Sequence, residues 1–280
     1  MQGKTVVITG ATSGIGEVAA CALAQQGARI VLIARDRGRV ENTLKRLDAC
    51  SPERNYAVHF ANLSRLAETK RAAEAIAASE PRIDVLINNA GALFLTRQVT
   101  GDALEMTFAT NHIGYFVVTN LLMDRLKATP GARIVSTASD AHQRAQLDFD
   151  DLQMEKNYSG FGMYGRSKLM NILFTRELSR RLSGSGATAN CLHPGFVATR
   201  FADTRSGLMS LMVRGAKRFA LTPEAGAKTI IYLASSAEVD GISGKYFYKC
   251  KQVTPTAEAQ KDADAQRLWE ISSQLSGLGG

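Results

Sequence analysis

Short apolar runs rich in β-branched residues alternate along the chain with longer stretches of helical periodicity. The runs are apolar throughout, which is typical of strands buried on both faces of a parallel sheet. They predict seven strands: Thr5–Thr9, Arg29–Ile33, Tyr56–Phe60, Asp84–Ile87, Arg133–Ser136, Thr188–Leu192 and Lys245–Phe247. The alternation therefore predicts an α/β fold in one domain over residues 1–280, a doubly wound seven-stranded parallel sheet with helices on both faces.

Two long stretches interrupt this alternation. Residues 140–160 are polar and acidic, and residues 201–220 carry apolar side chains with arginine and lysine between them. Long excursions at strand ends of compact domains often carry function. We expect a substrate lid at about residues 200–222, and the alternative is a basic amphipathic helix on a membrane surface.

Composition excludes several classes of protein. The 280 residues are 45% hydrophobic and 21% charged, which suits a globular domain. The formal net charge is +8, but no four lysines or arginines are consecutive, so we expect no nucleic-acid partner. The four cysteines and four histidines lack the spacing of a disulfide framework or a metal site, so we expect reduced thiols and no metal.

The amino terminus enters the first predicted strand at Thr5. The apolar run there is too short for a signal sequence or a membrane span, and nowhere do eighteen apolar residues follow one another. We therefore expect a soluble, cytoplasmic protein without a membrane span.

A glycine-rich segment, Thr9-Gly10-Ala11-Thr12-Ser13-Gly14-Ile15-Gly16, follows the first predicted strand and opens the first predicted helix. Glycines allow a tight turn there, so that N–H groups at the helix N-terminus can bind a pyrophosphate. The alternative is a glycine-rich turn without a ligand. The position favours a dinucleotide-binding Rossmann fold with these candidate cofactor contacts: Gly10, Thr12, Ser13, Gly14, Ile15 and Gly16.

The second strand leads to Arg35, with no acidic residue where one would bind the adenosine ribose of NAD. An arginine can instead pair with a 2′-phosphate, so NADP(H) is the expected cofactor. Arg37 or Arg39 could share this contact.

A tyrosine and a lysine lie four residues apart in a predicted helix that ends near Leu182. This spacing puts Tyr164 and Lys168 on one helix face. An ammonium about 5 Å away would lower the tyrosine pKa by roughly two units, which predicts a usable acid/base. The pair alone is a weak signal, because surface pairs of this spacing are common.

These segments occur in the order found in the short-chain dehydrogenase/reductase family, which the chain resembles over nearly its whole length. The matching segments are residues 9–16, Asn88-Asn89-Ala90-Gly91, Asn111, Ser139, Tyr164 with Lys168, and Pro194-Gly195.

The resemblance implies a catalytic tetrad of Asn111, Ser139, Tyr164 and Lys168. Tyr164 would exchange a proton with the substrate oxygen, and Ser139 would hydrogen-bond that oxygen. Lys168 would lower the tyrosine pKa and hold the cofactor ribose, and Asn111 would anchor a water relay. Ser136 is the alternative to Ser139. The resemblance also implies cofactor contacts at Tyr164, Lys168, Asn88, Asn89, Ala90, Gly91, Pro194, Gly195, Val197 and Thr199.

A narrower resemblance is to the retinol dehydrogenase-like branch. It is carried by Asn111-His112-Ile113-Gly114, Ala141-His142, His193-Pro194-Gly195 and Arg267-Leu268-Trp269-Glu270, among other segments. Asn62-Leu63 stands where Asp-Leu is usual, and the amide oxygen of Asn62 can still accept from the adenine amino group.

The branch interconverts lipophilic carbonyls and alcohols, usually with NADP(H). We therefore predict an NADP(H)-dependent carbonyl/alcohol oxidoreductase acting on a small lipophilic substrate. A redox-sensing NADP(H) binder without turnover and a dehydratase or epimerase are the alternatives. Formation of a homo-oligomer stays open.

Overall fold

The computed structural model describes residues 1–51, 55–196 and 221–279. The predicted cofactor contacts Val197 and Thr199, and residues 200–220 of the predicted lid, lie outside the described residues.

The apolar runs form a single eight-stranded sheet in the order β3-β2-β1-β4-β5-β6-β7-β8. Its strands are β1 (Thr5–Thr9), β2 (Arg29–Ala34), β3 (Tyr56–Phe60), β4 (Val85–Asn88), β5 (Arg133–Thr137), β6 (Thr188–Leu192), β7 (Tyr246–Tyr248) and β8 (Lys251–Val253). Strands β1 to β7 are parallel, as each pairing register shows. The predicted doubly wound parallel α/β sheet is therefore confirmed.

The predicted number of seven strands is wrong by one. The additional strand, β8, pairs antiparallel with β7 through a turn in which Lys249 and Cys250 both have positive φ. Lys251 and Gln252 are exposed, so β8 is an edge strand with no apolar run to mark it in the sequence.

Helices cover both faces of the sheet, as predicted. They are α1 (Gly14–Gln25), α2 (Arg37–Cys50), α3 (Leu66–Ser79), α4 (Met106–Phe108), α5 (Gly114–Leu121), α6 (Met123–Ala128), α7 (Gly160–Arg181), α8 (Pro223–Ser235) and α9 (Asp262–Ser276). A π-helical turn (Ala109–Ile113) joins α4 to α5, and 3₁₀ turns lie at Asp140–Arg144, Ala237–Val239 and Glu258–Gln260.

The alternation of side chains along β1 shows how the two helical layers are held. Val6 and Ile8 are buried against α1 and α8, whereas Val7 faces the other side and packs in the cluster that contains Phe116 and Phe174. Helices therefore shield both faces of the sheet from water, which explains why the strands are apolar throughout.

The carboxy-terminal segment that resembles the retinol dehydrogenase-like branch is part of the core. The Trp269 ring stacks on Phe174 with centroids 5.6 Å apart, and Arg181 lies 4.4 Å above the indole. Ser272 of the same helix is hydrogen-bonded through its hydroxyl to His112 Nε2 at 2.8 Å. This segment therefore docks α9 onto α5 and α7.

Two findings concern the described residues as a group. No described helix has the length and apolar character needed to span a membrane, and no three His, Cys, Asp or Glu side chains of the described segments converge as metal ligands. All four cysteines are free thiols in the structure.

Candidate active site

The predicted site residues come together at the carboxyl edge of the sheet. The strand order reverses between β1 and β4, and in open parallel sheets the crevice at such a reversal is where ligands bind. Gly10 follows β1, Asn89 follows β4, Ser139 follows β5 and Pro194 follows β6. The topology therefore explains why residues far apart in sequence meet.

The glycine-rich loop is held by close backbone packing. A Cβ on Gly10 would lie 2.6 Å from the Cα of Ala90, and one on Gly16 would lie 2.4 Å from the carbonyl oxygen of Gly10. Gly10 and Gly14 also have positive φ, at 69° and 59°. These glycines are thus required by the fold itself.

The N-terminus of α1 is available to an anion. Ser13 is the N-cap residue, but its side chain makes no capping hydrogen bond, whereas Asp36 caps α2. Thr12, Ser13, Gly14 and Ile15 are all partly exposed. Uncapped N–H groups of a 12-residue helix suit a pyrophosphate.

The Asn88–Gly91 turn is locked to the glycine loop. The Thr9 hydroxyl accepts from the backbone N–H groups of Asn89 and Ala90 at 2.9 and 3.0 Å. Asn89 Nδ2 donates to the Thr9 and Gly10 carbonyls, and Asn88 is fully buried with its Nδ2 donating to Thr119. The two asparagine side chains therefore hold the turn in place, and it is Ala90 and Gly91 that are accessible to a ligand.

The predicted 2′-phosphate contact, Arg35, directly follows β2. It is exposed at the carboxyl end of β2 and makes no ion pair with any described residue. Of the two alternatives, Arg37 lies 4.2 Å above the Phe60 ring, and Arg39 is close to Asp36.

The predicted adenine contact at Asn62 is already engaged within the protein. Its Oδ1 accepts from both the backbone N–H and the hydroxyl of Ser64, at 3.2 and 2.9 Å, in a local turn. Leu63 beside it is buried. Asn62 therefore has a structural role that its sequence position did not reveal.

Ser139 rather than Ser136 contacts the tyrosine. The Ser139 hydroxyl hydrogen-bonds the Tyr164 side chain and accepts from the Ala141 N–H at 3.2 Å. Ser136 is 1% exposed within β5, and its hydroxyl has no partner among the described residues. The contact with Tyr164 therefore favours Ser139 over Ser136, and its catalytic role stays a prediction.

Burial controls the electrostatics of the tyrosine and lysine. Lys168 Nζ donates to the Thr137 carbonyl at 2.9 Å and lies 5.5 Å from the Tyr164 ring centroid. Burial raises the pKa of Tyr164 to about 12, although the Ser139 hydrogen bond opposes this, and it lowers the pKa of Lys168 to about 7. The predicted lowering of the tyrosine pKa is therefore wrong for the protein alone, because desolvation penalises both charged forms.

Asn111 connects the tetrad to the loop after β4. It lies in the π-helical turn, a feature frequent at functional sites. Its Oδ1 accepts from the Ala92 N–H at 2.8 Å, and its Nδ2 donates to the Ala92 carbonyl and the Ser167 hydroxyl. Ser167 in turn donates to the Tyr164 carbonyl at 2.7 Å. The amide positions the tyrosine helix, and a water relay at Asn111 stays a prediction.

Pro194 and Gly195 border the site beyond β6. Both are partly exposed, and Gly195 has φ of 80°. This positive φ favours glycine, and a Cβ there would lie 2.8 Å from a terminal methyl group of Leu221.

Comparison with known proteins agrees with this arrangement. Residues 4–207 match the family described as "short chain dehydrogenase". The chain is a short-chain dehydrogenase. It is 41% identical over 296 residues to human "Retinol dehydrogenase 14", covering 99% of this chain and 88% of that one, so it belongs to the retinol dehydrogenase-like branch.

Solved structures share the fold. An uncharacterised protein from Mycobacterium Paratuberculosis aligns with a TM-score of 0.79 and 31% identity, covering 99% of this dehydrogenase and 94% of that chain. Pseudomonas aeruginosa RhlG, solved as an NADP active-site complex, aligns with a TM-score of 0.70 and 25% identity, covering 88% and 94%.

Sequence reasoning assigned no role to four residues that hold the dehydrogenase site together. They are Thr9, Tyr115, Thr137 and Ser167. Tyr115 donates to the Ala90 carbonyl at 2.7 Å, and Thr137 accepts from Lys168. Tyr115 lies four residues after Asn111. This helical spacing puts the two side chains on one face, so the sequence could have indicated that Tyr115 belongs to the site.

Proposed function

We propose that this short-chain dehydrogenase interconverts an aldehyde or ketone and its alcohol with NADP(H), using Tyr164 as the acid/base. The observation that carries the proposal is the cluster of Ser139, Tyr164 and Lys168 near the end of β5. It lies at the same sheet edge as the glycine-rich loop and the uncapped N-terminus of α1. The name of its 41% identical human relative, a retinol dehydrogenase, supports the reaction class.

The protonation state of Tyr164 is the one that carbonyl reduction requires. At pH 7 Tyr164 is a phenol, the form that can donate a proton to the oxygen of a carbonyl being reduced. Ser139 hydrogen-bonds the same tyrosine, so a substrate oxygen next to both hydroxyls is oriented for that transfer. The tyrosinate left behind is stabilised by the ammonium form of Lys168, 5.5 Å from the ring.

The cofactor would be held along the carboxyl edge of the sheet. Bound NADP(H) would supply or accept the hydride. The α1 N-terminus at Ser13 suits the pyrophosphate, Arg35 the 2′-phosphate and Lys168 a ribose hydroxyl. The RhlG complex with NADP supports the choice of NADP(H) over NAD(H).

The NADP(H) preference is tested by Arg35→Ala. Loss of a charge-assisted phosphate contact should raise the KM for NADPH roughly 10- to 100-fold and leave the KM for NADH unchanged. Steady-state kinetics with both cofactors measure this. An equal change for the two cofactors, or no change for either, would contradict the role of Arg35.

The substrate class is tested by following NADPH consumption with benzaldehyde, decanal, retinal and cyclohexanone. We expect turnover of at least one, with lipophilic aldehydes preferred. Retention of all four tetrad residues disfavours the redox-sensing regulator. Tight NADPH binding without turnover of any carbonyl would favour that regulator and contradict the enzyme.

A further inference from the structure

A set of buried polar groups beside the catalytic serine lacks hydrogen-bond partners. Ten buried side-chain polar atoms in the described part of the chain have none, and four of them belong to residues that line one cleft: His142 Nε2, His193 Nδ1, Tyr246 OH and Thr256 Oγ1. The His142, His193 and Tyr246 side chains are at least nine-tenths buried. Each unpaired group costs roughly 1–3 kcal/mol, so the cluster indicates a binding site.

The cleft lies where β5, β6 and β7 end, next to the catalytic residues. It measures about 470 Å³, within the size range of small-molecule sites. Asp140 at its mouth directly follows Ser139, and Tyr248 in its wall lies 3.5 Å from the Cβ position of Gly195. The cleft therefore adjoins both the catalytic serine and the turn after β6.

Ring contacts hold these polar groups in place. The His193 ring stacks on Tyr248 with centroids 4.0 Å apart, and the His142 ring meets Tyr246 edge-on at 5.2 Å. His142 Nδ1 lies 2.7 Å from the Ser139 carbonyl. Since a carbonyl only accepts, Nδ1 carries the proton and Nε2 is left as an acceptor in the cleft. The cleft is thus preorganised before a ligand enters.

The charges in the lining favour a neutral ligand. Burial holds the pKa of both His142 and His193 below the ordinary value, so both are neutral at pH 7. Among the described residues of the lining, Asp140 is the charged one, and none of them is a lysine or arginine. A ligand carboxylate would be repelled by the Asp140 carboxylate. The Lys249 ammonium lies over the Tyr248 ring, and Lys249 is not one of the lining residues.

The hydrogen-bonding capacity of the cleft matches a hydroxyl. His142 Nε2 accepts, and the Tyr246 and Thr256 hydroxyls can both donate and accept. A ligand hydroxyl has this same dual capacity. No metal fits, because the histidines and Asp140 do not converge as ligands in the described structure.

We propose that this cleft binds a hydroxyl group of the substrate, so that the preferred substrates carry a neutral hydroxyl in addition to the reacting carbonyl. The inference rests on the proposed function, because it assigns the cleft beside Ser139 to the substrate of that reaction. A site built to bond a hydroxyl discriminates strongly against the analogue that lacks it.

Binding is tested without turnover by NMR of the imidazole rings. The chain has only four histidines, and His142→Asn and His193→Asn assign the two in the cleft. Titration of the wild type with 1,4-benzenedimethanol should shift both signals, and benzyl alcohol should shift them less. Equal shifts with benzyl alcohol, larger shifts with 4-(hydroxymethyl)benzoate, or no shift with any probe would overturn the proposal.

Kinetics then test whether the cleft acts in catalysis. We expect kcat/KM for 4-(hydroxymethyl)benzaldehyde to exceed that for benzaldehyde at least 10-fold, and Tyr246→Phe to abolish most of that ratio. Tyr232→Phe, which removes from α8 a hydroxyl that is bonded to Glu238, is the matched control. A ratio near one in the wild type, or one unchanged in Tyr246→Phe, would overturn the subsite. Absence of turnover with either aldehyde contradicts the proposed function, and the NMR result alone then decides whether the cleft binds hydroxyls.

Discussion

Two groups of polar side chains meet at the carboxyl end of β5 and differ in how their hydrogen bonds are satisfied. In the tetrad, Asn111 is bonded to Ala92 and Ser167, and Lys168 is bonded to Thr137. In the neighbouring cleft, buried atoms of His142, His193 and Tyr246 have no partner in the described structure. The closed network fixes the geometry needed for chemistry, whereas the open one keeps capacity for a ligand.

The largest difference is expected when the same hydroxyl is removed in each region. Tyr164→Phe should lower kcat about 10²- to 10⁴-fold for benzaldehyde and its hydroxymethyl derivative alike, because the acid/base is lost. Tyr246→Phe should instead act more strongly on the hydroxymethyl derivative. Steady-state rates with both aldehydes measure this, and NADPH affinity of Tyr164→Phe is the control. Equal losses for both aldehydes in Tyr246→Phe would remove the distinction between the two regions.

The next difference concerns stability. Asn111→Ala should lower the free energy of unfolding by about 3 kcal/mol, since it leaves the buried partners at Ala92 and Ser167 unpaired. Tyr246→Phe should instead raise it by about 1–3 kcal/mol, since it removes a buried hydroxyl that is bonded to nothing described. Urea unfolding measures both. A similar loss in the two variants would show that the cleft is also a closed network.

A third difference is in pH dependence. The pKa of Lys168 is lowered to about 7 in the fold, so between pH 7 and 10 the unfolded chain binds more protons, and stability rises with pH. Lys168→Met should lack this rise. The pKa of His142 is also lowered by burial, so below about pH 6.5 the unfolded chain binds the additional proton and stability falls as the pH drops. His142→Asn should reduce that fall. Unfolding free energies of the three proteins from pH 5 to 10 test both assignments, and parallel curves would contradict them.

Most of the predicted site residues that the structure brings together follow strands, and Tyr164 lies on α7. Gly10, Asn89, Ser139 and Tyr164 are each fixed by a local pattern and by the topology of a parallel sheet, so their meeting was predictable.

What the sequence did not reveal depends on contacts between distant elements. β8 has no apolar alternation, and the tyrosine pKa depends on how much protein surrounds the ring. The cleft likewise joins His142 to Tyr246, which are brought together only when β5 and β7 share a sheet.

The central claim, hydride transfer with Tyr164 as the proton donor, is tested most directly with NADPH deuterated at its transferable position. With an aldehyde that the wild type turns over, we predict an alcohol with one deuterium on the carbinol carbon. Tyr164→Phe should bind NADPH with wild-type affinity and lose this product by about 10²- to 10⁴-fold. An alcohol without deuterium, or deuterium transfer by Tyr164→Phe at the wild-type rate, would contradict the account.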